Sequence, residues 1–139
     1  HLLPFTEFVP RFFAALGVRG GHTAAGESIA PLPWRDTKLG ILICYELLFP
    51  DLSRELIQHG AGVLINPSND VFFEGTAGAE QMAAAAVLRA VATRRPLLRA
   101  TPTGITVAID ARGRVVAQLP RGPSGALIVD VWPASENPP

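Results

Sequence analysis

The chain has 139 residues, with 12 basic and 12 acidic side chains, no net formal charge and a single cysteine. That length suits one domain with a proper core. The charge balance offers neither a basic stripe for nucleic acid nor an acidic tail, and one cysteine excludes an internal disulfide framework. Mean hydropathy is +0.28, on the apolar side for a soluble domain, yet no apolar run approaches the roughly eighteen residues of a membrane span.

HLLPFTEFVP opens the chain, with Pro4 and Pro10 around a short apolar segment. It carries one carboxylate, Glu7, between Phe5 and Phe8. An acid between aromatic anchors is expected to be partly buried and to need a partner. Arg11 to Leu16 suits a brief helix whose Phe12, Phe13 and Leu16 dock on a core or a lipid surface. The glycine-rich stretch from Gly17 to Gly26 lacks the G-K-[ST] ending of a phosphate loop and reads as a flexible connection.

Ser28 to Trp34 reads as an edge strand because Pro31 and Pro33 interrupt it. Arg35 to Lys38 then turns the chain into a buried apolar strand, Leu39 to Ile43, that ends at Cys44. Pro50 and Asp51 start a helix reaching about Gln58, with Leu52, Leu56 and Ile57 on one face and Gly60 as its stop. Val63 to Ile65 is the next buried strand, and Asn66 to Gly75 a polar and aromatic loop.

Ala79 to Thr93 carries the strongest helical pattern, with Ala83, Ala86, Val87, Ala90 and Val91 at helical spacing. Arg94 and Arg95 complement its dipole and Pro96 ends it. Leu97 to Ala100 and Ile105 to Ile109 read as strands flanking Thr101-Pro102-Thr103-Gly104. Asp110 to Gly113 is a hairpin turn, Val115 to Leu119 returns, and Ala126 to Val131 adds a last strand. Strand, helix, strand, helix and then several strands predict an α/β sandwich.

The stretch with chemical promise is Gly40 to Pro50. Cys44 is placed at the C-terminal end of a buried strand, where open α/β sheets form ligand crevices. If the chain turns into a helix after Cys44, nearby backbone N–H groups would favour a thiolate and hold a developing oxyanion. The alternative is a small buried hydrophobe ending a core strand.

Three carboxylates accompany Cys44: Glu7, Glu46 and Asp70. Read alone, Glu46 is better explained by solvent or by an ion pair with Arg54. Asn66, Ser68, Asn69 and Asp70 either line a crevice or form Asx turns. His1, His22 and His59 have no metal-ligand spacing with Cys44, and no histidine has the setting of a Cys–His pair. Lys38, the only lysine, sits in a turn, so an activating base would lie outside these residues.

The ordered set of motifs resembles the nitrilase (carbon–nitrogen hydrolase) superfamily, and within it the extracytoplasmic catalytic domain of the apolipoprotein N-acyltransferases. HLLPFTEFVP is similar to H-L-V-P-F-G-E-Y-V-P, ICYELLFP to I-C-Y-E-x-x-F-P and LINPSND to the I-S-N-D stretch. RRPLLRATPTGITVAIDARGRV resembles R-P-L-L-R-A-T-N-N-G-x-T-x-x-I-x-x-x-G. Departures fall at Asn69 to Glu74, where the family tryptophan is lost, and at Thr101 to Gly104, where T-N-N-G has become T-P-T-G.

The resemblance implies a nitrilase-like αββα sandwich, of which residues 1–139 form a C-terminal portion. It implies a Glu–Lys–Cys triad with Cys44 as nucleophile, the lysine and base glutamate lying upstream of His1. Glu7 would support the lysine, the Tyr45 N–H would help hold the oxyanion, and Glu46 would support activity.

The activity implied is transfer of a fatty acyl chain from a phospholipid donor, through a cysteine thioester, to a diacylglyceryl-lipoprotein acceptor. The setting implied is the bacterial inner membrane, with the domain on its periplasmic face and spans outside these residues. No cofactor, metal or nucleic acid is expected. Alternatives are a soluble amidase of the same superfamily, or a catalytically silent interaction remnant of the fold. The chain begins at His1 without methionine and ends at Pro139, so it is read as part of a longer protein, and these residues in isolation are expected to be inactive because two of the three triad members are absent from them.

Overall fold

The computed structural model describes residues 28–120 and 125–134. Six strands form one sheet in simple chain order: β1 (Leu32–Trp34), β2 (Thr37–Ile41), β3 (Val63–Pro67), β4 (Leu97–Ala100), β5 (Val107–Ile109) and β6 (Val115–Gln118). The central β2, β3 and β4 are parallel, and the outer pairings are antiparallel. Two helices make the parallel crossovers: α1 (Pro50–Gln58) between β2 and β3, and α2 (Gly78–Thr93) between β3 and β4. Parallel neighbours need such long connections, whereas the antiparallel pair β5–β6 closes through a tight turn.

Alternation along the strands decides which face meets the helices. Gly40, Leu64, Leu97 and Ile109 stand in register across the sheet and are buried. They form the core with Leu56 and Ile57 of α1 and Met82, Ala86 and Ala90 of α2. Gly40 is required for this approach, because a Cβ there would lie 2.8 Å from the Leu64 side chain and 3.3 Å from Leu56 Cβ. Alanines on α2 act to the same end, allowing its axis close to the sheet. The opposite face, with Ile41, Ile65 and Leu98, is only half-buried. The described residues thus supply one sheet and one helical layer, half of the expected αββα sandwich.

Several sequence expectations need correction. The strand leading to Cys44 ends at Ile41, short of the expected Ile43, although the Leu42 N–H still donates to the Ile65 carbonyl at 2.9 Å. On α2 the buried stripe is Ala79, Met82, Ala86, Ala90 and Thr93, and Val91 is half exposed beside the β5–β6 turn.

Ala126 to Val131 forms no strand. Its alternation is nonetheless real: Leu127, Val129 and Val131 are half-buried while Ile128 and Asp130 are exposed. Leu127 and Val129 border a cavity with Leu98 and Ala108. Beyond them the Ala134 N–H reaches the Gly62 carbonyl at 3.2 Å. The segment therefore crosses the half-buried sheet face rather than running alongside β6, and any extended segment on an apolar surface shows period-two burial. The expected helix at Arg11 to Leu16 and the glycine-rich loop lie outside the described residues.

The β5–β6 turn follows the expected form. The Asp110 N–H donates to the Arg114 carbonyl, and the Asp110 carboxylate accepts the N–H groups of Arg112 and Arg114, each at 2.9 Å. The Arg114 backbone bond, aided by its guanidinium and the Arg112 N–H, holds the Asp110 carboxyl below its ordinary pKa. Gly113 has φ +81°, and a Cβ there would also meet Val91 at 2.4 Å. Gly113→Ala should therefore cost about 1 kcal/mol or more, read as a lower Tm in thermal unfolding.

Candidate active site

Because β2, β3 and β4 are parallel, their C-terminal ends share one edge of the sheet. The segments leaving that edge bring Cys44, the Asn66–Asp70 stretch and Thr101–Gly104 together, as the crevice rule for open α/β sheets anticipates.

Cys44 opens a five-residue 3-10 turn, Cys44–Leu48, and adopts φ +52°. A left-handed conformation at a residue with a Cβ costs about 1–3 kcal/mol and persists only where neighbours over-determine it. The thiol is free and half-buried, so Cys44 is not the fully buried apolar filler that its apolar run allowed. Around it Ile43, Tyr45, Leu48 and Phe49 are exposed, and the Tyr45 and Phe49 rings meet edge to face at 6.1 Å.

Three sets of bonds hold this turn. Inside it, a Glu46 carboxylate oxygen accepts the Ile43 N–H at 2.7 Å, and the Glu46 N–H donates to the Ile43 carbonyl at 3.0 Å. Glu46 therefore does not form the ion pair with Arg54 expected from sequence, since Arg54 pairs with Asp51 at 2.5 Å, and it stays partly exposed to solvent. At the back, Arg89 of α2 donates from Nε and a terminal nitrogen to the Leu47 carbonyl, at 3.1 and 3.0 Å, and reaches the Leu48 carbonyl at 3.3 Å. Burial, reinforced by the Arg54 charge, lowers the Arg89 pKa, but a guanidinium remains a cation and caps the turn's unpaired carbonyls.

At the front, the Asn66 side-chain amide donates to the Leu42 carbonyl and, at 3.0 Å, to the Cys44 carbonyl. Its own oxygen accepts from Arg99, whose second terminal nitrogen pairs with Asp70 at 2.5 Å. The Ser68 hydroxyl donates to the other Asp70 oxygen at 2.7 Å. Asn66, Asp70 and Arg99 are each at most 1 % exposed.

The two readings of the Asn66–Asp70 stretch therefore divide by residue. Asn69 makes an Asx turn to the Val71 N–H at 3.2 Å, while Asn66 and Asp70 face inward. Sequence reasoning assigned no role to Arg99 or Arg89. The signal for Arg99 was present: in Leu97–Ala100 it shares a strand face with Leu97, so a buried face carried a charge that needed a counter-charge. Arg89 sits on a helix among alanines and gave no comparable sign.

Of the predicted site residues, the structure brings Cys44, Tyr45 and Glu46 into one turn. Glu7 lies outside the described residues, as do His1 and His22. His59 stands away from the turn, with Nδ1 2.8 Å from the Ile29 carbonyl oxygen, and Lys38 donates to the His59 carbonyl at 3.0 Å. A cavity of about 690 Å³ lies along Leu98, Thr101–Gly104 and Leu127, but Cys44 does not line it. No cluster suited to a metal ion occurs among the described residues.

The carbon–nitrogen hydrolase family profile matches residues 3–136. The chain is 39 % identical over 125 residues to an apolipoprotein N-acyltransferase of Geobacter metallireducens, covering 86 % of the chain and 24 % of that protein. It is 40 % identical over 137 residues to one of Caulobacter vibrioides, covering 91 % and 26 %. The chain thus spans about a quarter of the length of these curated relatives. Among solved structures it is similar to Saccharomyces cerevisiae Nit3, of branch 10 of the nitrilase superfamily, with a TM-score of 0.62 and 26 % identity. That match covers 73 % of the chain and 40 % of Nit3.

Gly104 leaves the space that Asp70 occupies: a Cβ there would lie 1.9 Å from an Asp70 carboxylate oxygen. Gly104→Ala should displace a buried ion and destabilise the protein by about 1–3 kcal/mol, visible as a fall in Tm.

Proposed function

The chain belongs to the carbon–nitrogen hydrolase family, and on that premise we propose that it is the C-terminal portion of the catalytic domain of an apolipoprotein N-acyltransferase. The observation that carries this reading is Cys44, half-buried at the C-terminal edge of the parallel strands, with Ile43, Tyr45, Leu48 and Phe49 exposed around it. A small-amide hydrolase has no need of an apolar rim, whereas a fatty acyl chain would be desolvated against one. The acyltransferase relatives, at 39 and 40 % identity, support the same choice over a soluble amidase.

In the first half-reaction the Cys44 thiolate attacks the ester carbonyl of a phospholipid such as phosphatidylethanolamine. A C–S bond forms, and the oxyanion is met by the Tyr45 N–H. Collapse breaks the ester C–O bond, and the lysophospholipid alkoxide leaves with the proton the base took from the thiol. In the second, the α-amine of a diacylglyceryl-cysteine lipoprotein attacks the thioester carbonyl. The C–N bond forms, the thiolate departs and the amine proton passes to the base. A thiol suits both halves because it is a strong nucleophile and a good leaving group.

The base is a glutamate and its electrostatic partner a lysine, both contributed from upstream of His1, with Glu7 supporting the lysine. Glu46 acts through the turn: its bond to the Ile43 N–H fixes the backbone immediately before the nucleophile. The reaction takes place at the periplasmic face of the bacterial inner membrane, through spans outside these residues. No helix among the described residues is long and apolar enough to cross a membrane.

The full-length protein, incubated with labelled phospholipid and no acceptor, should show an acyl adduct on Cys44 by mass spectrometry. The adduct should be lost in Cys44→Ala and discharged by added lipoprotein acceptor. An adduct elsewhere, or none, overturns the reading. A polypeptide of these 139 residues alone should show no turnover, and measurable acyl transfer from it would refute the assignment of the base and lysine.

A further inference from the structure

We propose that Asp70, Arg99 and Asn66 form a buried positioning relay that sets the conformation of the nucleophile turn. The proposal deepens the reading above and rests on Cys44 as nucleophile.

The sheet interior is an expensive place for these groups. Arg99 and Asp70 are fully buried, and among the described residues the Arg99 Nε has no hydrogen-bond partner. A buried ion pair is weak evidence for stability, since apolar residues of similar volume often serve as well or better. An unpaired buried N–H adds a further cost. Stability therefore does not explain the trio, and the bond geometry offers a second role.

An asparagine amide can be turned over, exchanging its oxygen and nitrogen. Here one orientation is enforced. The Arg99 cation is a donor only, so the amide oxygen must face it, which leaves the NH2 group to face the Leu42 and Cys44 carbonyls. Arg99 is itself held by Asp70, Asp70 by Ser68, and the space for that carboxylate exists because residue 104 is glycine. The two carbonyls gripped by Asn66 lie on either side of the Ile43–Cys44 link. Holding both fixes the backbone entering and leaving Cys44 and maintains its φ of +52°. Asp70, Arg99 and Asn66 are positioning residues, since each acts on Cys44 through the backbone.

The deciding variant is Asn66→Asp in the full-length protein. It is nearly isosteric and still accepts from Arg99, but it donates nothing to the two carbonyls. Acyl transfer should fall about 100-fold in kcat with KM changed by less than about threefold, since small displacements of reacting groups cost rate on that scale, and Tm should fall because a buried carboxylate oxygen then faces two carbonyl oxygens. Iodoacetamide alkylation of Cys44 should change about threefold or more, because it reads the thiol's presentation directly.

If Asn66→Asp does not fold, the paired change Asp70→Asn with Arg99→Met removes both charges, frees the amide to turn over and should give the same losses. Wild-type kcat and wild-type alkylation in a folded variant overturn the relay, while inactivity of Cys44→Ala in the same assay leaves the nucleophile reading standing. Activity in Cys44→Ala, together with altered alkylation in Asn66→Asp, would sink the nucleophile reading and uphold the relay as the determinant of the turn.

Discussion

One side-chain amide joins the interior of the sheet to the turn that presents the thiol. Asn66 leaves β3 on the face that carries Leu64, yet it bonds to carbonyls beyond the end of β2. Remove it and the Leu42 and Cys44 carbonyls lose their donor just where the backbone is least comfortable. The surrounding order supports this contact: the parallel strands bring β3 beside β2, and the paired Arg99 on β4 keeps the amide from reversing.

The turn is gripped from two directions by unlike means. Its leading carbonyls meet a neutral amide that the Arg99–Asp70 pair holds in one orientation, deep in the protein where hydrogen bonds are strong and unforgiving. Its trailing carbonyls meet the Arg89 guanidinium from α2, nearer to solvent and with a planar fork that spans two acceptors. Short 3-10 turns leave their last carbonyls unpaired, so a cation from an adjacent helix is a sound solution. The result couples both layers of the fold to five residues, Cys44–Leu48.

Much of the fold was legible because periodicity and punctuation agreed. Pro50 and Gly60 bounded α1, Pro96 followed α2, and Asp110 with Gly113 marked the hairpin. What failed did so for definable reasons. The Leu39–Ile43 run continued apolar beyond the ladder, since Leu42 packs in the core after the strand has ended, so composition alone overran the strand by two residues. The last extended segment had strand-like alternation without a neighbouring strand. Family motifs drew attention to Tyr45 and Glu46 as neighbours of Cys44, whereas the Arg99–Asp70 pairing joins residues 29 apart and depends on strand order. The Glu46–Ile43 bond was hidden because Glu46 had an obvious partner in Arg54, which the nearer Asp51 claimed.

The prolines around β1 have a consequence beyond marking an edge. Pro33 has no N–H to offer, and Pro31 lies just before the strand, so this border of the sheet presents an interrupted row of donors. An incoming β-strand from another molecule would find no continuous template there. Among the described residues, the border beside β2 is thereby a poor template for intermolecular pairing and aggregation.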